Sequence, residues 1–298
     1  GDLARARGEL LKAREARTHP GLDDKVLTAW NGLMLSALAR AGFVLGSPTY
    51  LEAAVKNAEF LAGELIAEGR IHRTWKAGRA RLNGYLEDYA AAVEGFLSLF
   101  EANGEARWIQ LAGELMDLTI ELFWDDASSS FFFTSHDHEQ LIVRQKEYMD
   151  NATPSGNSTC CLSLQRLGHL LDRPHYRELA GRQLARMSHA LHRHPLAFGT
   201  WLQALDFHLG PVTEVVVLGH EGWHDPLLVL LRERFLPAGV FVLVPGAVPS
   251  DELTKTVPLL RGKSVSNGAT TVYVCRDSVC TPPLTCVSEL ESHLNSIG

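Results

Sequence analysis

The chain has 298 residues, 46% of them hydrophobic, which is enough to bury a large core in one large or two modest domains. Its net charge of −7, with no run of Lys or Arg, gives no reason to expect a nucleic-acid partner. Every long apolar stretch is interrupted by charge, which excludes a membrane-spanning helix.

GDLARARGELLKAREAR, at the start, reads as a charged amphipathic helix and not as a signal peptide. Helices with one wet face are predicted at about 3–17, 48–68, 105–123 and 174–192. In the third, Trp108, Leu111, Leu115, Leu118 and Leu122 form one stripe, with Glu114, Asp117 and Glu121 opposite. Between them lie more apolar segments, near 22–43, 84–102, 154–170 and 196–209. The first of these contains TAWNGLMLSAL, where Asn31-Gly32 is a strong hairpin signal on its own. Its flanks disagree: Val26, Trp30, Leu33, Met34, Ala37 and Ala41 recur at helical spacing, and Arg40 is the only charge between Val26 and Leu45. A helix buried on all sides is expected, with Asn31 about two turns inside it and in need of a hydrogen-bond partner.

Wet and buried helices that alternate in this way suit helical hairpins in a ring, apolar helices inside. The inner helices then run in one direction and open their N-termini on one face. LDDK (22–25), YLEDY (85–89), PSGNS (154–158) and HPLAFG (194–199) fall there. Helix N-termini offer unpaired N–H groups and partial positive charge. Capping explains such residues one at a time, whereas their convergence suggests a ligand pocket. The connections 74–84 and 125–151 are long and lie on the same face, where loops usually carry function.

From about residue 213 the pattern changes to short β-branched runs, TEVVVLG, GVFVLVPG and ATTVYVC, alternating with helical segments. A small α/β layer with parallel strands is expected, closed by a helix at 286–297. The predicted division is therefore 1–210 and 211–298. LGHEGWHD lacks dinucleotide-binding spacing and VPGAVPS is no P-loop. Five cysteines form no disulfide framework, which favours a reducing, cytoplasmic location. Cys275 and Cys280 have no second pair to complete a zinc site, so no metal is expected. Cys160 and Cys161, although close to PSGNST, read as core.

LDDKVLTAWNGLMLSALARAG, YLEDYAAAVEGFLSLFE, DNATPSGNST and TTVYVCRDSVCTPPLT, in that order, resemble the YyaL and spermatogenesis-associated thioredoxin-domain family. The resemblance covers nearly the whole chain. It implies a mainly α fold: part of an (α/α)6 toroid, about four hairpins, similar to N-acylglucosamine 2-epimerases and six-hairpin glycosidases, followed by a small α/β segment. It also implies that the chain is either a C-terminal part of a longer protein or the product of a split gene. The partners expected are a thioredoxin-like domain, the rest of the ring, or a second copy of this chain covering exposed helix faces.

Two carboxylates across a cleft are what glycoside hydrolysis needs, and Asp24, Glu87 and Asp88 are the candidates. Proton transfer beside a carbonyl, as in an epimerase, favours histidine, and His19 and His194 stand just before inner helices. For binding a sugar-like ligand the candidates are Asp23, Trp30, Asn31, Tyr85, Tyr89, Asp150, Asn151, Ser155 and Asn157, with Trp75 and Glu147 nearby. No cofactor is expected. A carbohydrate-directed toroid is the leading expectation, and a docking module for the thioredoxin-like domain the alternative.

Overall fold

The computed structural model describes residues 1–67, 69–139, 142–220, 222–276 and 279–297. The last residue of the helix expected over 48–68, two residues of the 125–151 connection, one of LGHEGWHD and the centre of VCRDSVC lie outside the described residues.

Helix α1 (Asp2–Glu15) buries none of its side chains. It therefore does not serve as a first outer helix, because its exposed leucines, Leu3, Leu10 and Leu11, are too few to make a continuous stripe. Strand β1 (Val26–Leu27) then leads into α2 (Thr28–Val44). The inner helix expected from residue 22 thus starts at Thr28. What displaces it is distant in sequence: Val26 and Leu27 pair with Trp75 and Thr74 of another strand.

Helix α3 (Pro48–Phe60) returns along α2 and ends in a wider π-helical turn at Leu61–Leu65. Strands β2 (Ile66–Ala67), β3 (Arg70–Lys76) and β4 (Arg79–Asn83) complete an antiparallel sheet in which β3 pairs with β1, β2 and β4. The connection expected over 74–84 is thus mostly hairpin. Next come α4 (Leu86–Asn103), α5 (Ala106–Phe123), the short pair β5 (Trp124–Asp125) and β6 (Ser130–Phe131), α6 (Gly156–Leu170), α7 (Pro174–Arg193) and α8 (Gly199–Leu209).

Helix α4 packs on α2 and α6, α6 packs on α8, and α3, α5 and α7 lie outside them. This is an arc of an α/α toroid with α2, α4, α6 and α8 as its inner layer. Burial follows the sequence pattern: α4 and α6 are apolar and buried nearly all round, whereas α5 buries Trp108, Leu115 and Leu122 and exposes Glu114 and Glu121. Gly32 explains the Asn-Gly pair. A Cβ there would fall 2.6 Å from the Ala91 carbonyl, so only glycine lets α2 and α4 touch backbone to backbone.

The remaining elements are β7 (Thr213–Leu218), α9 (Pro226–Arg232), β8 (Gly239–Val244), α10 (Asp251–Thr256), β9 (Thr271–Arg276), β10 (Val279–Cys280) and α11 (Val287–Ile297). The sheet order is β10-β9-β7-β8. β7 and β8 are parallel, as expected, but β9 runs antiparallel to β7. The chain leaving β8 returns at the same end of the sheet, where Val265 N–H bonds to the Ala247 carbonyl, so Thr271 starts opposite Leu218.

Alternation along β7 gives the sheet two apolar faces. Val216 and Leu218 join the helical core, while Val215 and Val217 pack with leucines of α9 and α11. The sheet meets α4 at Gly104, whose φ is +71 and where a Cβ would strike the Leu243 carbonyl at 1.7 Å. Cys275 and Cys280 face each other across β9 and β10 and form a disulfide, which corrects the expectation of an unpaired cysteine set. The two cysteines are only five positions apart, but the antiparallel register makes them direct neighbours. Among the described residues no helix is long and apolar enough to cross a membrane.

Candidate functional site

YLEDY does open an inner helix, but its acids divide the labour. Asp88 is 1% exposed, and its Oδ2 accepts the Tyr85 N–H at 2.9 Å, closing a capping box on α4. Its Oδ1 accepts the Ala29 N–H at 3.0 Å in the first turn of α2, and Arg73 of β3 donates to Oδ2 at 3.2 Å. Burial pushes its pKa from 3.8 to about 6 against the pull of the Tyr85 N–H, Arg73 and the Ala29 N–H. With two backbone donors and an arginine engaged, Asp88 holds two helices together and has no edge left for a substrate.

Other expected binding residues are also structural. Tyr89 is buried, and its hydroxyl accepts the Ile71 N–H at 3.1 Å. Asn157, fully buried, fixes β6 by accepting from Phe131 N–H at 2.8 Å and donating to the carbonyls of Phe131 and Glu147. Ser155 is the N-cap of α6 and accepts the Ser158 N–H. Asp150 accepts from Ser155 N–H and from Thr200 N–H, both at 2.8 Å, and so joins the starts of α6 and α8.

A third group lies at the surface. His19 is exposed beside Glu15, and Asp23 pairs with Lys25 at 3.2 Å. Asp24 is exposed and tied to Lys76, which holds its pKa below the usual carboxylate value. Trp30 is 67% exposed. Asn31 sits in the first turn of α2 and not two turns in, because the helix starts late; it donates to the Leu27 carbonyl at 2.9 Å. Asn151 and His194 are exposed. Asp24 and Glu87 are bound by Lys76 and Arg73, which stand three residues apart on β3 and so point to opposite faces of the strand. The expected carboxylate pair across a cleft is therefore not formed by these two.

What the structure does assemble is centred on Tyr85. Its ring stacks on Phe133 at 4.9 Å and on His138 at 5.1 Å, and the Arg73 guanidinium lies 4.6 Å from its centre. Arg73 also grips Glu87 at 2.7 Å. Tyr85, Phe133, His138, Glu139, Val143 and Gln145 line a cavity of about 560 Å³. The Ser135 hydroxyl meets His138 Nδ1 at 2.7 Å and Asp137 Oδ1 at 2.6 Å, while Asp137 receives both terminal nitrogens of Arg70. That chain of contacts fixes the His138 ring, and burial lowers its pKa, so the imidazole is neutral near pH 7. His138, Glu139 and Arg73 are missing from the expected set. The signal available was a histidine in a long connection on the inner N-terminal face.

Deeper in the ring, Glu94 of α4 bonds to Arg40 of α2 and to Arg166 and Ser163 of α6, and Arg166 also holds Glu101 at 2.6 Å. Glu94, Glu101 and Arg166 are buried and compensate one another, with Arg40 half exposed at their edge, and only the lone Arg40 in an apolar helix hinted at them. Among the described residues no group of three or more His, Cys, Asp or Glu is placed to hold a metal ion.

No family model matches the chain. Among solved structures, a cellobiose 2-epimerase from Spirochaeta thermophila superposes with a TM-score of 0.46 at 17% identity, covering 55% of this chain and 43% of that one. A superposition that partial says nothing about activity. Spermatogenesis-associated protein 20 of Rattus norvegicus and that of Homo sapiens are each 32% identical over 300 residues, 96% of this chain. The chain spans 38% of the length of these relatives. On a likeness that runs through nearly all of its residues, the chain belongs to the family of spermatogenesis-associated protein 20.

Proposed function

We propose that the cleft over Tyr85 binds a sugar or similar polyol, with His138 as its proton-transfer group. One observation carries this: a neutral imidazole is stacked on Tyr85 in a cavity of about 560 Å³, its Nδ1 already engaged. The stacked Tyr85–Phe133 pair supplies an apolar floor, and Glu139 and Gln145 supply polar groups for hydroxyls. Nε2 is then the nitrogen that exchanges a proton with the ligand. Epimerase-like or isomerase-like chemistry fits this set better than two-carboxylate hydrolysis, since Asp24 and Asp88 are bound elsewhere. On this proposal residues 1–210 carry the site and 211–298 brace it. Saturation-transfer NMR against free sugars, with deuterium uptake at carbon 2 as the readout of chemistry, tests it. Binding lost in Tyr85→Ala and uptake lost in His138→Ala are expected; sugar binding unchanged in both variants would remove the site.

A second reading has its own observation. Trp30, Leu82, Ile142, Val143 and Leu196, all on segments at the N-terminal ends of inner helices, are more than half exposed. A docking role for this rim, with the thioredoxin-like domain or the rest of the ring as partner, predicts affinity for that partner and none for sugars.

A further inference from the structure

Two further cavities border the opposite end of the inner helices, and neither shares a lining residue with the Tyr85 cleft. The first, of about 470 Å³, lies between the C-terminal halves of α2, α4, α6 and α8 and the elements α9 and β8. Its arginines are all matched. Arg40 and Arg166 share Glu94, Arg166 also holds Glu101, Arg234 pairs with Glu291, and the charge of Asp225 acts on Arg232. Nothing there calls for an anionic ligand.

The second cavity, of about 440 Å³, lies where α6, α7 and α8 meet β7, at the junction of the helical arc and the sheet. Arg177 of α7 lies across the end of α6, where a Cβ on Gly168 would fall 2.6 Å from its Cγ. Its guanidinium makes no hydrogen bond or ion pair among the described residues, and its nitrogens are not sealed from solvent. Gln165 of α6 also lines the cavity and is 2% exposed. Its amide group donates to the Cys161 carbonyl at 3.3 Å and the Ala204 carbonyl at 2.9 Å, while Oε1 accepts nothing among the described residues and is not sealed off. Polar groups set so deep call for a partner. Glu214 of β7 gives Oε1 to His169 Nδ1 at 3.2 Å and keeps Oε2 unbonded. Lys263 also feels the Glu214 charge, but its ammonium is bonded to the Leu259 carbonyl and does not line the cavity.

The free groups are therefore of two kinds. Arg177 offers the planar fork that matches the two oxygens of a carboxylate. Gln165 and Glu214 offer acceptors, and one of them is charged, which suits an ammonium better than a hydroxyl. Phe207 and Val212 add an apolar wall, and the volume is that of a small-molecule site. A phosphate would meet the Glu214 carboxylate as a like charge, whereas a molecule carrying both signs satisfies both sides. We propose that this cavity binds a free α-amino acid with an apolar side chain, its carboxylate on Arg177 and its ammonium at Gln165 and Glu214. The site is independent of the sugar reading of the Tyr85 cleft.

Calorimetric titration of the chain with L-leucine tests the assignment, with two half-ligands as controls: 4-methylpentanoate, which lacks the ammonium, and 3-methylbutylamine, which lacks the carboxylate. Leucine should bind about tenfold more tightly than either. Arg177→Met should bring leucine down to the affinity of the amine, and Glu214→Gln should bring it towards that of the acid. Arg177→Lys, which keeps the charge but loses the fork, serves if the methionine variant does not fold, and it should lose most of the advantage. A half-ligand that binds as tightly as leucine, no saturable binding of leucine, or a leucine preference untouched by change at position 177 would overturn the proposal. Equal binding of 2-hydroxy-4-methylpentanoate would overturn the choice of an ammonium.

Discussion

Replacing Gly32 with alanine tests the packing on which the inner layer depends. The added Cβ would lie 2.6 Å from the carbonyl carbon and oxygen of Ala91 and 2.8 Å from the Ala92 nitrogen. An ordinary contact begins near 3.4 Å, so α2 and α4 must part by about 0.8 Å, the difference between 3.4 and 2.6. The obstructing atoms are backbone and cannot rotate aside, which puts the cost at the upper end of overpacking, about 3 kcal/mol. Alanine recovers about 1 kcal/mol in helix propensity. The net loss is about 2 kcal/mol, a fall of about 4–8 °C in Tm for a chain of this size. Thermal and denaturant unfolding followed by circular dichroism measure it, with Gly8→Ala in α1, where a Cβ meets nothing, as the control that should not fall. A Gly32→Ala protein as stable as the parent would refute the backbone contact and the close α2–α4 pairing with it.

Asp88 should leave a mark on the pH dependence of stability. Its native pKa of about 6 lies above the ordinary 3.8, so the native state holds the extra proton between those values. Its contribution is therefore full below about pH 4 and is lost as pH rises through about 6, a change of about 3 kcal/mol. Stability of the parent relative to Asp88→Asn should decline across that window, and a difference independent of pH would contradict the burial argument. Glu94→Gln removes the charge shared by Arg40 and Arg166; Arg166 keeps Glu101 and Arg40 is half exposed, so the cost in denaturant unfolding should be about 2 kcal/mol, below that of a buried charge left with no partner. Reduction of the Cys275–Cys280 disulfide, which closes a loop over a sequence separation of only five, should cost about 2 kcal/mol in unfolding experiments with and without dithiothreitol.

Much of the helical layer was legible because its signals are local. The α5 stripe, the largely apolar run of α4 and the serine cap of α6 each lie within one segment, and those helices begin within two residues of expectation. The start of α2 was not legible, since β1 is held by a strand nearly fifty residues away. The candidate site was read only in part for a chemical reason. Caps, staples and catalytic groups draw on the same side chains, so nothing local separates Asp88, Asp150 and Asn157, which bind backbone, from Glu87, which does not. His138 lies outside any periodic segment, and only the fold lays it on Tyr85. The cavity at the C-terminal ends of the inner helices is built from six separate elements and has no sequence signature at all.

Asp88 and Asp150 have a mechanical consequence. Each carboxylate clamps the first turns of two neighbouring inner helices, α2 with α4 and α6 with α8. The four helices thus behave as two riveted plates, with the α4–α6 seam between them. That seam is spanned by the buried charges of Glu94, Glu101 and Arg166 and lacks a clamp of the kind that pins each plate. Any breathing of the arc concentrates there. The two plates are expected to move there as units.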